Sequence, residues 1–215
     1  MQEDKSKVRK RIIVIISIIF AVIIVLYVVT VVMDFIKEKS LMNNNTESIA
    51  ENICFYVPDY KANIYDDPIY MDQNRGIMYI TNGYGVTLTE KTIDDCDIVA
   101  KFFQQYFSTV IEGNYVDYPS FFSDNFKKYN TLPSKFTMQK IYDIEIKLYS
   151  REIENEAPMV YRDTYEVRYR IRHNNGTLRS DVESDTIKPI IFELLVYTDQ
   201  VMIDEIYPIR TIITE

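Results

Sequence analysis

The sequence predicts an α+β protein in which one membrane-spanning helix precedes an outward-facing domain of helices packed on an antiparallel sheet. Residues 12–33 form a run of 22 residues without a charged side chain. From residue 92 apolar side chains recur at steps of three and four, and from residue 141 apolar and polar side chains alternate. These are the periods of an amphipathic helix and of half-buried strands. Helices that precede a set of antiparallel strands pack on one face of the sheet, which is the α+β arrangement.

The apolar run predicts a single transmembrane helix. At about 1.5 Å per residue it spans roughly 33 Å, the thickness of a hydrocarbon core. A cleaved secretory signal is the alternative, but its apolar part is only about 7 to 15 residues long and ends at a small-residue cleavage site. Five Lys or Arg residues lie within residues 1–11, and only Lys37 and Lys39 follow the run closely. The positive-inside rule therefore predicts a cytoplasmic N-terminus and an extracytoplasmic C-terminal domain in the cell membrane.

The charge of the chain excludes a class of partners. The net charge is −8, and the 19 basic and 30 acidic residues beyond residue 33 leave a net −11 there. Such an acidic domain repels phosphate backbones, so we expect no nucleic acid among its partners. Contact with membrane lipid is expected through residues 12–33.

Two polar or turn-rich segments follow the predicted span. Residues 34–52 contain three consecutive asparagines and predict a juxtamembrane stalk. Residues 53–91 predict a small β segment, in which β-like runs alternate with turn residues. The runs are CFYV, NIY, DPIYM, IMYI and VTLT.

The dipeptide Asn82-Gly83 predicts a β-hairpin between the last two of these runs. A type I′ turn needs positive φ at both central residues, which Asn and Gly tolerate. A two-residue turn here pairs Tyr79 with Val86 and Ile77 with Leu88.

A long amphipathic helix is predicted to begin after Thr92, with Thr92 as N-cap and Asp95 three residues on. Acidic side chains in the first turn complement the helix dipole, and Gly113 marks the end. A second, short helix is predicted near Pro119. The aromatic side chains of both helices predict a core, with a ligand pocket as the alternative. The apolar positions are Cys96, Val99, Phe102, Phe103, Tyr106, Phe107, Val110, Phe121, Phe122 and Phe126.

Alternation predicts four strands in the last third of the chain. In residues 141–153 the inward set is Tyr142, Ile144, Ile146 and Leu148, and in 165–172 it is Tyr165, Val167, Tyr169 and Ile171. Residues 189–197 and 201–206 predict two more strands, both apolar enough to be central.

A second Asn-Gly pair, Asn175-Gly176, predicts another two-residue hairpin. Its register sets Arg170 opposite Asp181, Arg168 opposite Glu183 and Glu166 opposite Asp185. The basic row RYRIR and the acidic stretch SDVESD then neutralise each other, which argues against a phosphate site and a calcium loop. The calcium reading also fails because no Gly follows the acids and the twelfth position from Asp181 is Phe192.

The only two cysteines are Cys54 and Cys96. An extracytoplasmic location permits a disulfide between them. Their spacing matches no metal motif, and the place of Cys96 on the apolar helix stripe favours a small buried thiol.

The element order over residues 92–209 resembles a known fold. The helix ending EGNYVDYPSFFS and the closing stretch FELLVYTDQVMIDEIYPI are similar to the cone-shaped domain of nuclear transport factor two and its bacterial relatives, in which helices pack on a curved antiparallel sheet. A cone behind one N-terminal anchor resembles the bitopic scaffold subunits of type IV secretion and conjugation systems, including the TcpC-type proteins. This resemblance implies a scaffold subunit that contacts other protein subunits and itself as a homo-oligomer. Residues 210–215 would be a tail.

The sequence predicts no catalytic, cofactor-binding or metal site, and so no enzyme and no cofactor. No nucleophile elbow, phosphate loop or zinc motif occurs. The only histidine, His173, lies beside a predicted turn, where exposure is expected. Asp204 and Glu193 fall within apolar strands and are candidate inward carboxylates, although the outward face of an alternating strand is favoured for both.

Two alternatives remain for the function. A small-ligand-binding or enzymatic cone would need a deep pocket that converges on an inward carboxylate and a tyrosine. A cell-wall-binding or signalling ectodomain would need residues 54–90 to form a complete barrel, since this stretch resembles the start of a bacterial Src-homology-three-like wall-binding module.

Overall fold

The computed structural model describes residues 53–209. The predicted cytoplasmic tail (1–11), membrane helix (12–33), stalk (34–52) and C-terminal tail (210–215) all lie outside the described residues. None of the helices within residues 53–209 has the length and hydropathy of a membrane span.

The α+β class is confirmed, with few helices and a curved six-stranded sheet. Short 3₁₀ turns cover Ile64–Asp66, Ile93–Asp95 and Tyr118–Phe121. The helices are α1 (Pro68–Met71), α2 (Ile98–Ile111) and α3 (Asp124–Tyr129). The strands are β1 (Ile77–Thr81), β2 (Tyr84–Leu88), β3 (Lys140–Glu156), β4 (Met159–Arg172), β5 (Ile190–Val196) and β6 (Val201–Pro208).

One sheet contains all six strands, in the order β2-β1-β3-β4-β5-β6. All neighbours are antiparallel except β1 and β3, which are parallel. The hairpin of β1 and β2 therefore extends the main sheet, and residues 54–90 form no separate barrel.

The predicted register of that first hairpin is confirmed. Tyr79 pairs with Val86 and Ile77 pairs with Leu88. Asn82 and Gly83 have φ values of 52° and 79°, the positive values that a type I′ turn requires.

The strand predictions for CFYV, NIY and DPIYM are wrong. CFYV lies in no strand, and the other two stretches are helical turns. The Asn63 side chain accepts the backbone N–H of Tyr65, and the Asp67 side chain accepts those of Ile69 and Tyr70. Asx caps with proline in the first turn favour helix over strand.

Helix α2 is present where the periodicity predicts it, but Asp97 caps it instead of Thr92. The Asp97 carboxylate accepts the Ala100 N–H at 2.8 Å, whereas Thr92 precedes a separate 3₁₀ turn and makes no side-chain cap bond. The second helix, α3, begins after the N-cap Ser123, and Pro119 lies in the preceding 3₁₀ turn.

Aromatic side chains join α2 to one face of the sheet. Ring centroids lie 5.2 Å apart for Phe103 and Tyr165, 5.5 Å for Phe107 and Tyr169, and 5.5 Å for Tyr106 and Phe192. Edge-to-face pairs at these distances add about 0.5–1.5 kcal/mol each to their burial. The predicted aromatic core is therefore the layer between α2 and the sheet.

A bulge in β3 changes the predicted alternation. Asp143 has a φ of 52°, and the β3–β4 register shifts between Tyr142 and Glu145. Ile141 consequently packs in the main core, while Tyr142 packs in a smaller cluster with Ile64 and Tyr70. The prediction that Tyr142 shares a face with Ile144 is wrong because the bulge inserts an extra residue between them.

The predicted hairpin at Asn175-Gly176 is also wrong. Strand β4 ends at Arg172, a loop covers residues 173–189, and β4 pairs with β5 instead. The predicted cross-strand pairs do not form: Arg168 lies opposite Glu145, Arg170 opposite Tyr142, and Glu166 opposite Ile191.

The buried Asn174 side chain explains the loop. Its amide donates to the carbonyls of Arg179 and Val182 at 2.9 and 2.7 Å, and its oxygen accepts the Gly176 N–H at 3.0 Å. Side-chain bonds of this kind compete with a strand ladder. The loop therefore folds on itself.

Candidate functional site

The two carboxylates singled out from the sequence lie in one ionic cluster around Arg162. Asp204 is buried; it accepts the Ser123 hydroxyl at 2.7 Å and Arg162 at 3.1 Å. Glu193 is half-buried and accepts Arg162 at 3.2 Å and the Tyr207 hydroxyl at 2.7 Å. The cluster joins β4, β5 and β6 to the start of α3, so its geometry is that of a structural clamp.

Another buried carboxylate is that of Asp163, which lies in β4 just before residue 165, where the alternating pattern was predicted to begin. Its side chain is 0% exposed, and Arg151 of β3 donates to both oxygens at 2.7 and 2.6 Å. A bidentate arginine is the geometry that best compensates a buried carboxylate.

A tyrosine pair extends this inward polar layer towards α2. The hydroxyls of Tyr79 and Tyr165 are 2.9 Å apart, and the Tyr79 hydroxyl lies 3.1 Å from both carboxylate oxygens of Asp97. Burial raises the pKa of both tyrosines well above the ordinary value. Both phenols are therefore protonated and act as hydrogen-bond donors within the core.

One cavity opens between α2, the loop 173–189 and the sheet. It has a volume of about 280 Å³. We call it the tyrosine pocket. Its principal lining residues are Tyr106, Tyr118, Tyr169, Arg179, Ile190 and Phe192.

The polar groups of the tyrosine pocket come from separate elements. The hydroxyls of Tyr106 and Tyr118 are 3.4 Å apart, and burial raises the pKa of each. The buried Arg179 binds the Asp181 carboxylate through two bonds of 2.9 and 2.7 Å. Its guanidinium carbon lies 5.4 Å from the ring centroid of Tyr169. The sequence pattern indicated core aromatics here but did not indicate the arginine, which the loop brings in.

Residues 53–60 form a surface segment outside the helices and strands, which we call the N-terminal strap. Tyr56 donates its N–H to the Asn174 carbonyl at 3.0 Å, and Lys135 Nζ lies 4.3 Å from the centroid of the Tyr60 ring. Exposed apolar side chains are concentrated here: Phe55, Tyr56, Val57 and Tyr60.

His173 and the cysteines do not form a catalytic arrangement in the structure. The His173 ring is half-buried against Tyr56 at a centroid distance of 4.4 Å, and burial lowers its pKa, with Arg172 and Lys140 adding to the effect. Both cysteines are free: Cys54 is exposed, and Cys96 is half-buried with its thiol 3.2 Å from the Thr92 carbonyl.

The buried polar groups are fully engaged. In the described part of the chain, no buried side-chain nitrogen or oxygen lacks a hydrogen-bond partner. Among residues 53–209, no group of three or more His, Cys, Asp or Glu side chains could hold a metal ion. The strap and the tyrosine pocket are two described surfaces at which another molecule could be bound.

No known protein family, curated protein or solved structure matches the chain. Its function is therefore inferred from its own surfaces, cavity and buried charges.

Proposed function

We propose that the chain is a single-pass membrane protein whose extracytoplasmic domain binds partner proteins as a scaffold or assembly subunit. The observation that carries the proposal is the N-terminal strap, which exposes four large apolar side chains within six residues, 55–60. Clustered exposed apolar groups mark protein interaction sites, whereas isolated ones do not.

The strap has the character of an interface because it combines aromatic side chains with a fixed backbone. Val57 is 89% exposed, while the neighbouring Tyr56 is held by the Asn174 carbonyl and the His173 ring. Aromatic residues are enriched at the centres of protein interfaces, because they bury a large area at low conformational cost. A partner would therefore find these side chains already positioned.

The position of the strap in the chain also supports an assembly role. It directly follows the predicted stalk, so membrane anchoring would confine it to a layer close to the bilayer. Copies of the chain and other membrane proteins would meet it there at high effective concentration. The acidic domain beyond residue 33 favours protein over nucleic-acid partners.

The buried charges of the domain support a binding role over a catalytic one. Asp163, Asp204 and Arg179 each belong to an internal ion pair. Catalytic carboxylates need access to substrate. In this domain the carboxylates of Asp163 and Asp204 form ion pairs between strands, and Arg179 forms one within the loop 173–189.

The same element order supports a place in a conjugative transfer or type IV secretion-like envelope complex. The bitopic scaffold subunits of such a complex are expected to carry a helix-covered curved sheet behind one membrane anchor. Self-association and contact with neighbouring subunits would then be its activity.

Site-specific photocrosslinking in intact cells tests this proposal. A benzophenone side chain replaces Val57 in the strap. The matched control replaces Tyr84, which is 83% exposed and lies in the β1–β2 hairpin outside the strap. We expect the Val57 position to capture discrete envelope proteins or a second copy of the chain, identified by mass spectrometry.

Two results would contradict the proposal. One is capture of only peptidoglycan fragments or of nothing at Val57. The other is an identical set of captured proteins at Val57 and Tyr84, because that set would reflect exposure alone.

A further inference from the structure

The tyrosine pocket has the size of a small-molecule site. Its volume of about 280 Å³ is close to the lower end of the range of about 300–1,000 Å³ found for ligand pockets. It is large enough for a single ring with one substituent. The pocket involves none of the strap residues.

The walls of the pocket favour an aromatic ligand. Phe192, Tyr106 and Tyr169 present rings, and Ile190 and Ile206 supply aliphatic contacts. Tyr106 already packs edge-to-face on Phe192 at 5.5 Å and on Phe121 at 5.5 Å. A ring bound among them would gain the same offset or edge-to-face contacts.

The pocket contains several hydrogen-bond donors, and the one carboxylate that lines it, Asp181, is already bound by Arg179. Burial raises the pKa of Tyr106, Tyr118 and Tyr169, so their hydroxyls stay protonated. In the Tyr106–Tyr118 pair one hydroxyl donates to the other, which leaves one hydrogen for a ligand. Arg179 binds the Asp181 carboxylate through two N–H groups, the Lys188 carbonyl through a third and the Tyr169 hydroxyl as well, so most of the five N–H groups of its guanidinium are already engaged.

The local charge balance favours an anion. Arg179 and Lys188 face the single carboxylate of Asp181, and Lys188 Nζ lies 3.6 Å from it. Glu193, which accepts the Tyr207 hydroxyl, shares Arg162 with Glu154 and Asp204. Directly beside Arg179, two cations, Arg179 and Lys188, face one carboxylate, that of Asp181.

We infer that the tyrosine pocket binds a small aromatic carboxylate, with the ring against Tyr106, Tyr169 and Phe192 and the carboxylate towards Arg179 and the tyrosine hydroxyls. This site goes beyond the proposed partner binding, which rests on the strap. Loss of either would leave the other intact.

Ligand-observed fluorine NMR on the full chain in lipid nanodiscs tests the inference. The probes are para-fluorobenzoate, fluorobenzene without an acceptor, and the cation para-fluorobenzylamine. We expect saturable binding of para-fluorobenzoate, roughly tenfold or more tighter than that of the other two probes, because only the anion meets the donors and the positive charge.

Three variants assign the binding to the pocket. Ser180→Tyr places a ring at the exposed rim and should abolish binding of para-fluorobenzoate. Tyr118→Phe removes one donor and should weaken binding roughly two- to tenfold. Tyr84→Phe, in the β1–β2 hairpin and outside the pocket lining, should bind as the parent does.

The inference would be overturned by any of three results. These are no saturable binding of para-fluorobenzoate, equal binding of the benzylamine, or unchanged binding in Ser180→Tyr. Near-UV circular dichroism of each variant shows whether its fold is retained, and Tyr118→Phe serves as the second test if Ser180→Tyr fails to fold.

Discussion

The pair of Arg151 and Asp163 is the clearest case in which a single residue controls stability. Asp163 is 0% exposed, and its charge partner among residues 53–209 is Arg151, whose side chain is 44% exposed. A buried carboxylate without its partner is costly, whereas an exposed arginine without its partner is not. The two halves of the pair therefore have unequal effects on folding.

We predict that Arg151→Ala lowers the free energy of unfolding by about 2 kcal/mol. This is less than the roughly 3–5 kcal/mol for a fully buried pair, since water can replace the half-exposed arginine. Urea denaturation of the full chain in nanodiscs, followed by near-UV circular dichroism, measures the change.

A matched control and a double variant test the cause. Lys101→Ala, at an exposed position on α2, should change the free energy of unfolding by less than about 0.5 kcal/mol. Adding Asp163→Asn to Arg151→Ala should recover part of the loss, because no buried charge then remains. A double variant less stable than Arg151→Ala would contradict the assignment.

The residues that could be predicted from sequence are those whose roles are set by near neighbours. Gly83 is one, because its turn lies directly between two pairing strands. The role of Asp163 could not be predicted, since an aspartate among inward-facing apolar residues interrupts the alternation. Its partner Arg151 lies opposite it on another strand, β3. Arg179 is likewise hidden, because the loop that buries it has no regular period.

The elements of the fold show the same division between local and distant causes. The hairpin at Asn82-Gly83 follows from its own dipeptide and flanks. The dipeptide Asn175-Gly176 predicts a hairpin equally well, yet the loop forms because Asn174 binds carbonyls five and eight residues away. A short-range turn signal cannot reveal that competition.

Substitutions at two glycines would separate the effect of backbone strain from the effect of a steric clash. Gly83 and Gly113 both have positive φ, 79° and 69°. A Cβ at Gly83 would meet nothing within 4 Å, whereas a Cβ at Gly113 would lie 2.6 Å from the Met138 nitrogen. Gly113 therefore ends α2 and also fixes its distance from the segment that leads into β3.

We predict that Gly83→Ala destabilises the chain by about 1 kcal/mol, from the positive φ alone. Gly113→Ala should cost about 1–3 kcal/mol more, since the added methyl group meets backbone that cannot move cheaply. Thermal unfolding of both variants in nanodiscs compares them. Equal losses of stability in the two variants would show that the close approach of Gly113 to the Met138 backbone does not affect the free energy of unfolding.

For the molecule as a whole, the class of fold could be predicted from periodicity, because one long amphipathic helix and several alternating strands can bury their apolar faces only against each other. The parallel pairing of β1 with β3 could not, because it joins segments more than sixty residues apart. The tyrosine pocket was hidden for the same reason. Its lining comes from α2, the loop 173–189 and strands β4 to β6.

The proposed role depends on the orientation of the whole chain across the membrane. The basic cluster before residue 12 favours an external domain by the positive-inside rule. Cys54 is suited to report that orientation, because it is exposed at the start of the described domain. Replacing Cys96 by serine leaves it as the only thiol.

Labelling of Cys54 by a membrane-impermeant maleimide in intact cells is therefore the most direct test of an anchored, extracytoplasmic partner-binding domain. The expected result is labelling of the Cys96→Ser variant without permeabilisation, and none of a variant that lacks both cysteines. Labelling that requires disruption of the membrane would contradict the account, because it would place the strap and the tyrosine pocket inside the cell.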